Sequence, residues 1–347
     1  MPTARDRVLS ALHHQPVDRP PRDLWPAPAV ESFRPDELAE IRLRYPPDIV
    51  FPDFQYSRGH RSKGNPLEPG QWTDAWGCVW NTPQRGADPE PLEAPLADAA
   101  QLAAFRPPRE VIERMNLSAI QRSCTATSRF VLAATDVAPF QRLLLLRGPA
   151  TLEELQRGTA DIRRLLNIIH DYYAREIEVW ASTEVDAVAF GDSWAGPERL
   201  GISLDVWRDL FKPLYRQYCD LLRRGDKFAF FRAGGDVTPV LDELIEIGVD
   251  AVHCPLHLLP LETVVQRWRD RVTFWIGLDN PRKVVDGPRE AIRQAVQRVQ
   301  AAFEPHRGGL VVHCPWPPQA PFDHVAAMLE QWLAPPHPHP CHARRIR

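Results

Sequence analysis

Short apolar runs and long amphipathic stretches alternate through the later two-thirds of this sequence. The short runs are rich in β-branched and aromatic residues and end in polar or glycine-rich positions. They are Arg22 to Trp25, Asp48 to Pro52, Arg129 to Thr135, Val185 to Phe190, Lys227 to Phe231, Val249 to His253, Val272 to Gly277 and Gly309 to His313. The stretches between them repeat apolar residues at helical spacing. From Asp161 to Ala181, for example, Ile162, Leu165, Ile169, Tyr173, Ile177 and Trp180 fall on one stripe. Strand followed by helix, repeated, is the pattern of βαβ units and implies a parallel sheet. Eight such strands suit an α/β fold of the (β/α)8 TIM-barrel type. An open doubly wound sheet would show a similar count.

Local signals sharpen the helices. Thr151 followed by Glu154 reads as a capping box, and Ser203 as the N-cap of the helix that follows it. Pro213, inside that helix, is expected to kink or divide it. Further helices are expected at Asp236 to Ile247, Leu261 to Trp268, Pro288 to Phe303 and Pro321 to Trp332, and the N-terminal MPTARDRVLSALHH reads as an amphipathic helical segment. Residues 55–95 break the alternation. Their aromatic segment QWTDAWGCVW predicts a β-hairpin that lids the barrel mouth. The expected organisation is a single barrel domain over residues 1–334 and a disordered Pro/His-rich tail over 335–347.

Bulk properties narrow the function classes. The 347 residues carry a formal net charge of −3, with 44% hydrophobic and 25% charged residues. No global basic field draws in nucleic acid or an anionic membrane, and no apolar run approaches the length of a membrane span. The N-terminal helix lacks a signal-peptide core. A soluble, cytoplasmic protein acting on a small molecule is expected, as a monomer or homodimer. The six cysteines are widely spaced and form no CxxC, so free thiols are favoured over a disulfide framework or a zinc ribbon.

Candidate chemistry collects at strand ends. The tetrapeptide VHCP occurs twice, from Val252 and from Val312. His253, Cys254 and Cys314 could therefore supply a soft nitrogen and sulfur zinc site, or the cysteines could pack as small apolar groups. Adjacent strand residues point to opposite faces, so one member of each His-Cys pair faces inward. His313 is a candidate acid/base group. Asp192 in GDSW could act as, or orient, a general base, or cap the next helix. Asp279 in GLDN is open to the same two readings. Arg232, before Gly234 and Gly235, could grip a carboxylate or phosphate, or pair with Asp192 or Asp279. Trp25, Trp194 and Trp316 suit a flat or methylated ligand.

Several segments in order resemble the uroporphyrinogen decarboxylase superfamily. RDRVLSALHHQPVDRPPRDLW, TDAWGCVW, FQRLLLLRG, VDAVAFGDSW, ISLDVWRDLFKPLY, DELIEIGVDAV, VTFWIGLDN and HCPWPP carry the resemblance over nearly the whole chain. It implies a (β/α)8 barrel with its active site at the C-terminal strand ends, and it is closer to the corrinoid-dependent methyltransferase and demethylase branch. A polar active-site residue at the place of Asp192 and an aspartate at that of Asp279 belong to that pattern. The decarboxylase's arginine-rich loop after the first strand is absent: DLWPAPAV holds no arginine. Where many methyltransferases carry HxCG or HSDG metal ligands after the fifth strand, Arg232, Ala233, Gly234 and Gly235 stand instead. Cys314 matches a family cysteine. The resemblance implies a methyltransferase acting on a small, methoxylated or thiol substrate, with zinc, a corrinoid from a partner protein, or neither. The alternatives are a metal-independent decarboxylase or lyase on a carboxylic acid, and a barrel that binds a ligand without catalysis.

Overall fold

The computed structural model describes residues 2–196, 200–278, 280 and 282–333. Eight parallel strands alternate with helices in the arrangement of a (β/α)8 barrel. In chain order they are β1 (Arg22–Pro26), β2 (Ile49–Val50), β3 (Phe130–Ala134), β4 (Ala187–Asp192), β5 (Phe228–Ala233), β6 (Ala251–His253), β7 (Thr273–Trp275) and β8 (Leu310–Trp316). The described residues form two compact units, one within Met1–Val50 and Ala251–Arg347, the other Phe51–Asp250.

In the first unit, β1, β8, β7 and β6 neighbour one another in that order, all parallel. Asp23 stands beside His313, Trp275 beside Val311, and Phe274 beside Val252. One face of this sheet is packed by helices, with Phe274 against Phe303 of helix Arg289–Phe303 and Trp316 against Phe322 of helix Phe322–Leu333. Side chains alternate along a strand, so Leu24, Val252, Val312 and Cys314 share the helix-packed face. Asp23, Trp25, His253, Trp275 and His313 share the opposite face, which lines the interior in a barrel of this class. The start of β1 is held by Asp48, which accepts from the Arg22 amide (2.8 Å) and from the Arg7 and Arg19 guanidiniums (2.7 and 2.6 Å). The expected N-terminal helix is Ala4–Leu12, with a capping box between Thr3 and Asp6.

In the second unit, β3, β4 and β5 run parallel in sequence order. Helices Pro139–Arg147, Ala160–Ala181 and Lys212–Arg224 belong to this unit. The expected apolar stripe of Ala160–Ala181 is buried throughout. Phe190 and Phe231 meet Tyr218 and Tyr215 of Lys212–Arg224, which identifies the helix-packed face of the sheet. Gln71 and Trp72 pair with Asn81 and Trp80 in the expected hairpin, and Glu90–Glu93 adds a third antiparallel strand. Trp72 and Trp80 stack at 5.5 Å. Trp76, buried, lies 4.7 Å from Tyr172, and Arg142 reaches Asp74 at 3.0 Å, so the hairpin is fastened to helices Ala160–Ala181 and Pro139–Arg147.

One local expectation differs from the structure. Thr151 is not an N-cap but lies inside helix Thr151–Arg157, where its hydroxyl donates to the Gly148 carbonyl (2.7 Å) and Glu154 pairs with Arg147. Ser203 does cap its helix, accepting from the Val206 amide (3.2 Å). Pro213 divides the segment as expected: it stands at the start of helix Lys212–Arg224, and the turn before it widens into a π-helix over Trp207–Phe211. Proline has no N–H for the carbonyl four residues back, and the ladder absorbs the loss by shifting register. No helix of the described residues is long and apolar enough to cross a membrane.

Candidate functional site

The opposite face of the first unit brings five polar and aromatic side chains together. Asp23 is fully buried. Its Oδ2 accepts from the Trp25 indole at 2.5 Å and the Trp275 indole at 2.6 Å. The Nδ1 of His313 stands 3.6 Å from the same oxygen. His313 also meets Trp25 and Trp275 edge-on, with ring centroids 5.4 and 5.0 Å apart. His253 completes the group, 4.8 Å from His313 and 5.9 Å from Trp275. Trp275 and His313 are buried, whereas Trp25 and His253 are half-buried and give the group its accessible edge.

Strand register builds this group. Trp25 follows Asp23 by two residues and so shares its face; His313 is the direct neighbour of Asp23 on β8; Trp275 and His253 continue the row across β7 and β6. Gly277, just after β7, permits the approach: a Cβ there would overlap the His313 carbonyl. A buried carboxylate needs hydrogen-bond donors to be tolerated. The two indoles supply them and fix the carboxylate beside the imidazole. A carboxylate facing one imidazole nitrogen orients the ring and stabilises its protonated form as it arises, the arrangement of a general acid/base.

The duplicated VHCP separates its own members. His253 and His313 meet on the opposite face, while Cys254 and Cys314 alternate away from them. Both cysteines are buried, and burial, with Asp23 nearby, pushes the Cys314 thiol far above its ordinary value. Among the described residues no three His, Cys, Asp or Glu side chains are grouped to hold a metal ion. The residues present do not fit a zinc site built on His253, Cys254 and Cys314.

The remaining candidates lie elsewhere. Asp192 is on the helix-packed face of the second unit. Its carboxylate accepts from the amides of Phe140 (2.7 Å), Gln141 (2.8 Å) and Ser193 (3.0 Å) and from the Tyr215 hydroxyl (2.6 Å). Those partners make it the anchor of helix Pro139–Arg147. Burial raises its pKa to about 6 against the pull of these bonds. Trp194 is fully buried with its indole on Tyr215 (2.8 Å), and Trp316 is fully buried with its indole on the Ala320 carbonyl (3.2 Å) and Arg34 over its ring. Both tryptophans are packed among their own neighbours, with no surface left for a substrate.

Arg232 lies on the face opposite to Asp192 and is exposed, so these two do not pair across the sheet. Of the glycines after it, Gly234 faces open space, whereas Gly235 is approached by the backbone oxygens of Ala195 and Gly196, and only glycine fits there. Asp279 and the tail lie outside the described residues. Sequence reasoning missed Asp23 and Trp275. The alternation in RDLW and TFW marks each as sharing a face with a neighbour, but which strands adjoin is not written in either segment.

Comparison with known proteins agrees with this architecture. A family model described as uroporphyrinogen decarboxylase (URO-D) matches residues 73–332. The chain belongs to the URO-D family. Among solved structures, a methyltransferase from Methanosarcina mazei superposes with a TM-score of 0.70 at 14% identity, covering 95% of this chain and 98% of that one. At that identity the likeness speaks for the fold. A glycosylated endo-beta-1,4-xylanase from Gloeophyllum trabeum reaches a TM-score of 0.49 at 12% identity, with 96% and 99% covered, too low to bear on the fold. No curated protein matches the sequence.

Proposed function

We propose that this URO-D family chain is a methyltransferase-like enzyme acting on a small, methoxylated or thiol substrate. The Asp23–His313 pair, walled by Trp25, Trp275 and His253, carries the reading. Aromatic walls suit a flat substrate and its methyl group. His313, oriented by Asp23, gives a proton to the departing oxygen of a methoxylated substrate, or takes one from a thiol that receives a methyl group. In the first case the methyl C–O bond breaks, the oxygen taking a proton from His313, and the methyl passes to the acceptor; in the second, the methyl leaves its donor for the sulfur, which loses its proton to His313. The acceptor or donor in this reading is a corrinoid carried by a partner protein. The chain's own residues orient substrate, exclude water and move one proton.

A second reading is favoured by one observation. Because the cysteines do not join the histidines, the group offers no thiolate ligand and stands as an acid/base site, which suits a metal-independent carboxy-lyase. Methoxylated aromatics and methylthiols incubated with the enzyme and cob(I)alamin separate the two. The account expects methylcobalamin to form and to fall about a hundredfold in His313→Gln. Release of labelled CO2 from aromatic acids, with no cobalamin methylation, would replace it with the second reading.

A further inference from the structure

The second unit holds a cavity of about 620 Å³ that none of the chemistry above uses. It lies between the segment 105–117 and helix Ala160–Ala181. Phe105, Ile112 and Met115 form one wall, and Ile168, Tyr172 and Val179 the other. Such a volume is that of a small-molecule pocket.

Its polar groups are of two kinds. Arg106, Arg109 and Arg175 edge the cavity and outnumber the two carboxylates there, Glu113 and Asp171. Arg175 pairs with Glu178 (3.1 Å), and Arg106 is turned onto the carbonyls of Ala103 and Phe105. The Arg109 amide donates to the Pro107 carbonyl (2.9 Å), while its exposed guanidinium makes no hydrogen bond or ion pair with any described residue. Tyr172 is 6% exposed, and its hydroxyl likewise bonds to no described residue. Burial keeps that phenol neutral, as a donor. Tyr172 lines the cavity, so its phenol O–H is available to an acceptor held there.

We infer that this cavity binds an amphipathic monocarboxylate, its apolar body between the two walls and its carboxylate on Arg109 and the Tyr172 hydroxyl. Guanidinium and phenol donors together match a carboxylate's acceptor-only oxygens. The ring of Tyr172 also packs on Trp76, which Arg142 covers at 4.9 Å. The ligand therefore touches the residue that fastens the hairpin, and an occupied cavity should steady it.

The test uses the full chain with octanoate, 1-octanol and octylamine as probes in titration calorimetry. The inference expects saturable octanoate binding at one equivalent. Arg109→Gln should weaken it about tenfold, Tyr172→Phe less, and Arg157→Gln, a surface change away from the cavity, should leave it unchanged. Ile168→Trp fills the space and should abolish binding; thermal melts of each variant establish that it is folded. The inference is overturned by octanol or octylamine binding as tightly as octanoate. It is equally overturned by Arg109→Gln and Arg157→Gln binding alike, or by no octanoate binding at about 1 mM.

Discussion

Asp23 and Asp192 are both buried carboxylates in or at a strand of one barrel, yet their surroundings assign them different work. Asp192 faces helices and accepts from three backbone amides and a tyrosine. Each of those donors is fixed by the fold, so the carboxylate serves as a joint between β4 and helix Pro139–Arg147, which follows β3. Asp23 faces away from the helices, and its donors are two indoles beside a titratable ring. Half of that group remains accessible through Trp25 and His253. The comparison teaches that burial alone does not mark a functional carboxylate. The face of the strand and the kind of partner do.

The contrast can be broken at Asp192 first. Asp192→Ala strands two amides at the start of Pro139–Arg147 and the Tyr215 hydroxyl. Urea denaturation should show a loss of about 3 kcal/mol. A change below about 0.5 kcal/mol would mean that the joint contributes nothing. At the other aspartate, Trp275→Phe keeps the ring and removes one donor to Asp23. Stability should fall by about 1 kcal/mol, and turnover about tenfold as the carboxylate loses its fixed position. A variant with lower stability and unchanged turnover would move Asp23 into the same structural class as Asp192.

The smallest effect is a pH slope. Burial raises Asp192 to about 6 and Glu176, bonded to Tyr56 at 2.6 Å, to about 7. Both values lie above the ordinary carboxylate value, so the folded chain binds more protons than the unfolded one between about pH 4 and 7. Stability should therefore fall as pH rises through that window and level off above it. Glu176→Gln should flatten the upper part of the slope and Asp192→Asn the lower part. Equal slopes in all three proteins, measured by chemical denaturation across the window, would assign the pH dependence to other groups.

Much of the barrel was legible in the sequence. Each expected strand is present, and the helical stripe of Ala160–Ala181 is buried as its period requires. Boundaries moved where side-chain pattern carries no register. β4 starts at Ala187 and runs on through Gly191 to Asp192, placing Asp192 within the strand, and β8 continues to Trp316. The site was half legible. His253 and His313 stood out because VHCP repeats, but alternation sends each cysteine to the other face. Trp194 and Trp316 look like mouth aromatics in sequence because they follow strands; the structure commits both to packing. Asp23 carries no motif. Its role arises from four parallel strands meeting in one register, which is a property of the sheet and not of any segment.

The central claim is that Asp23 serves chemistry and Asp192 serves the fold. It is tested most directly by measuring methyl transfer to cob(I)alamin for Asp23→Asn and Asp192→Asn under conditions where both are fully folded. The account predicts that Asp23→Asn loses about a hundredfold in turnover, whereas folded Asp192→Asn keeps turnover within a few-fold of the parent protein. Equal losses in the two variants, or full turnover in Asp23→Asn, would contradict it.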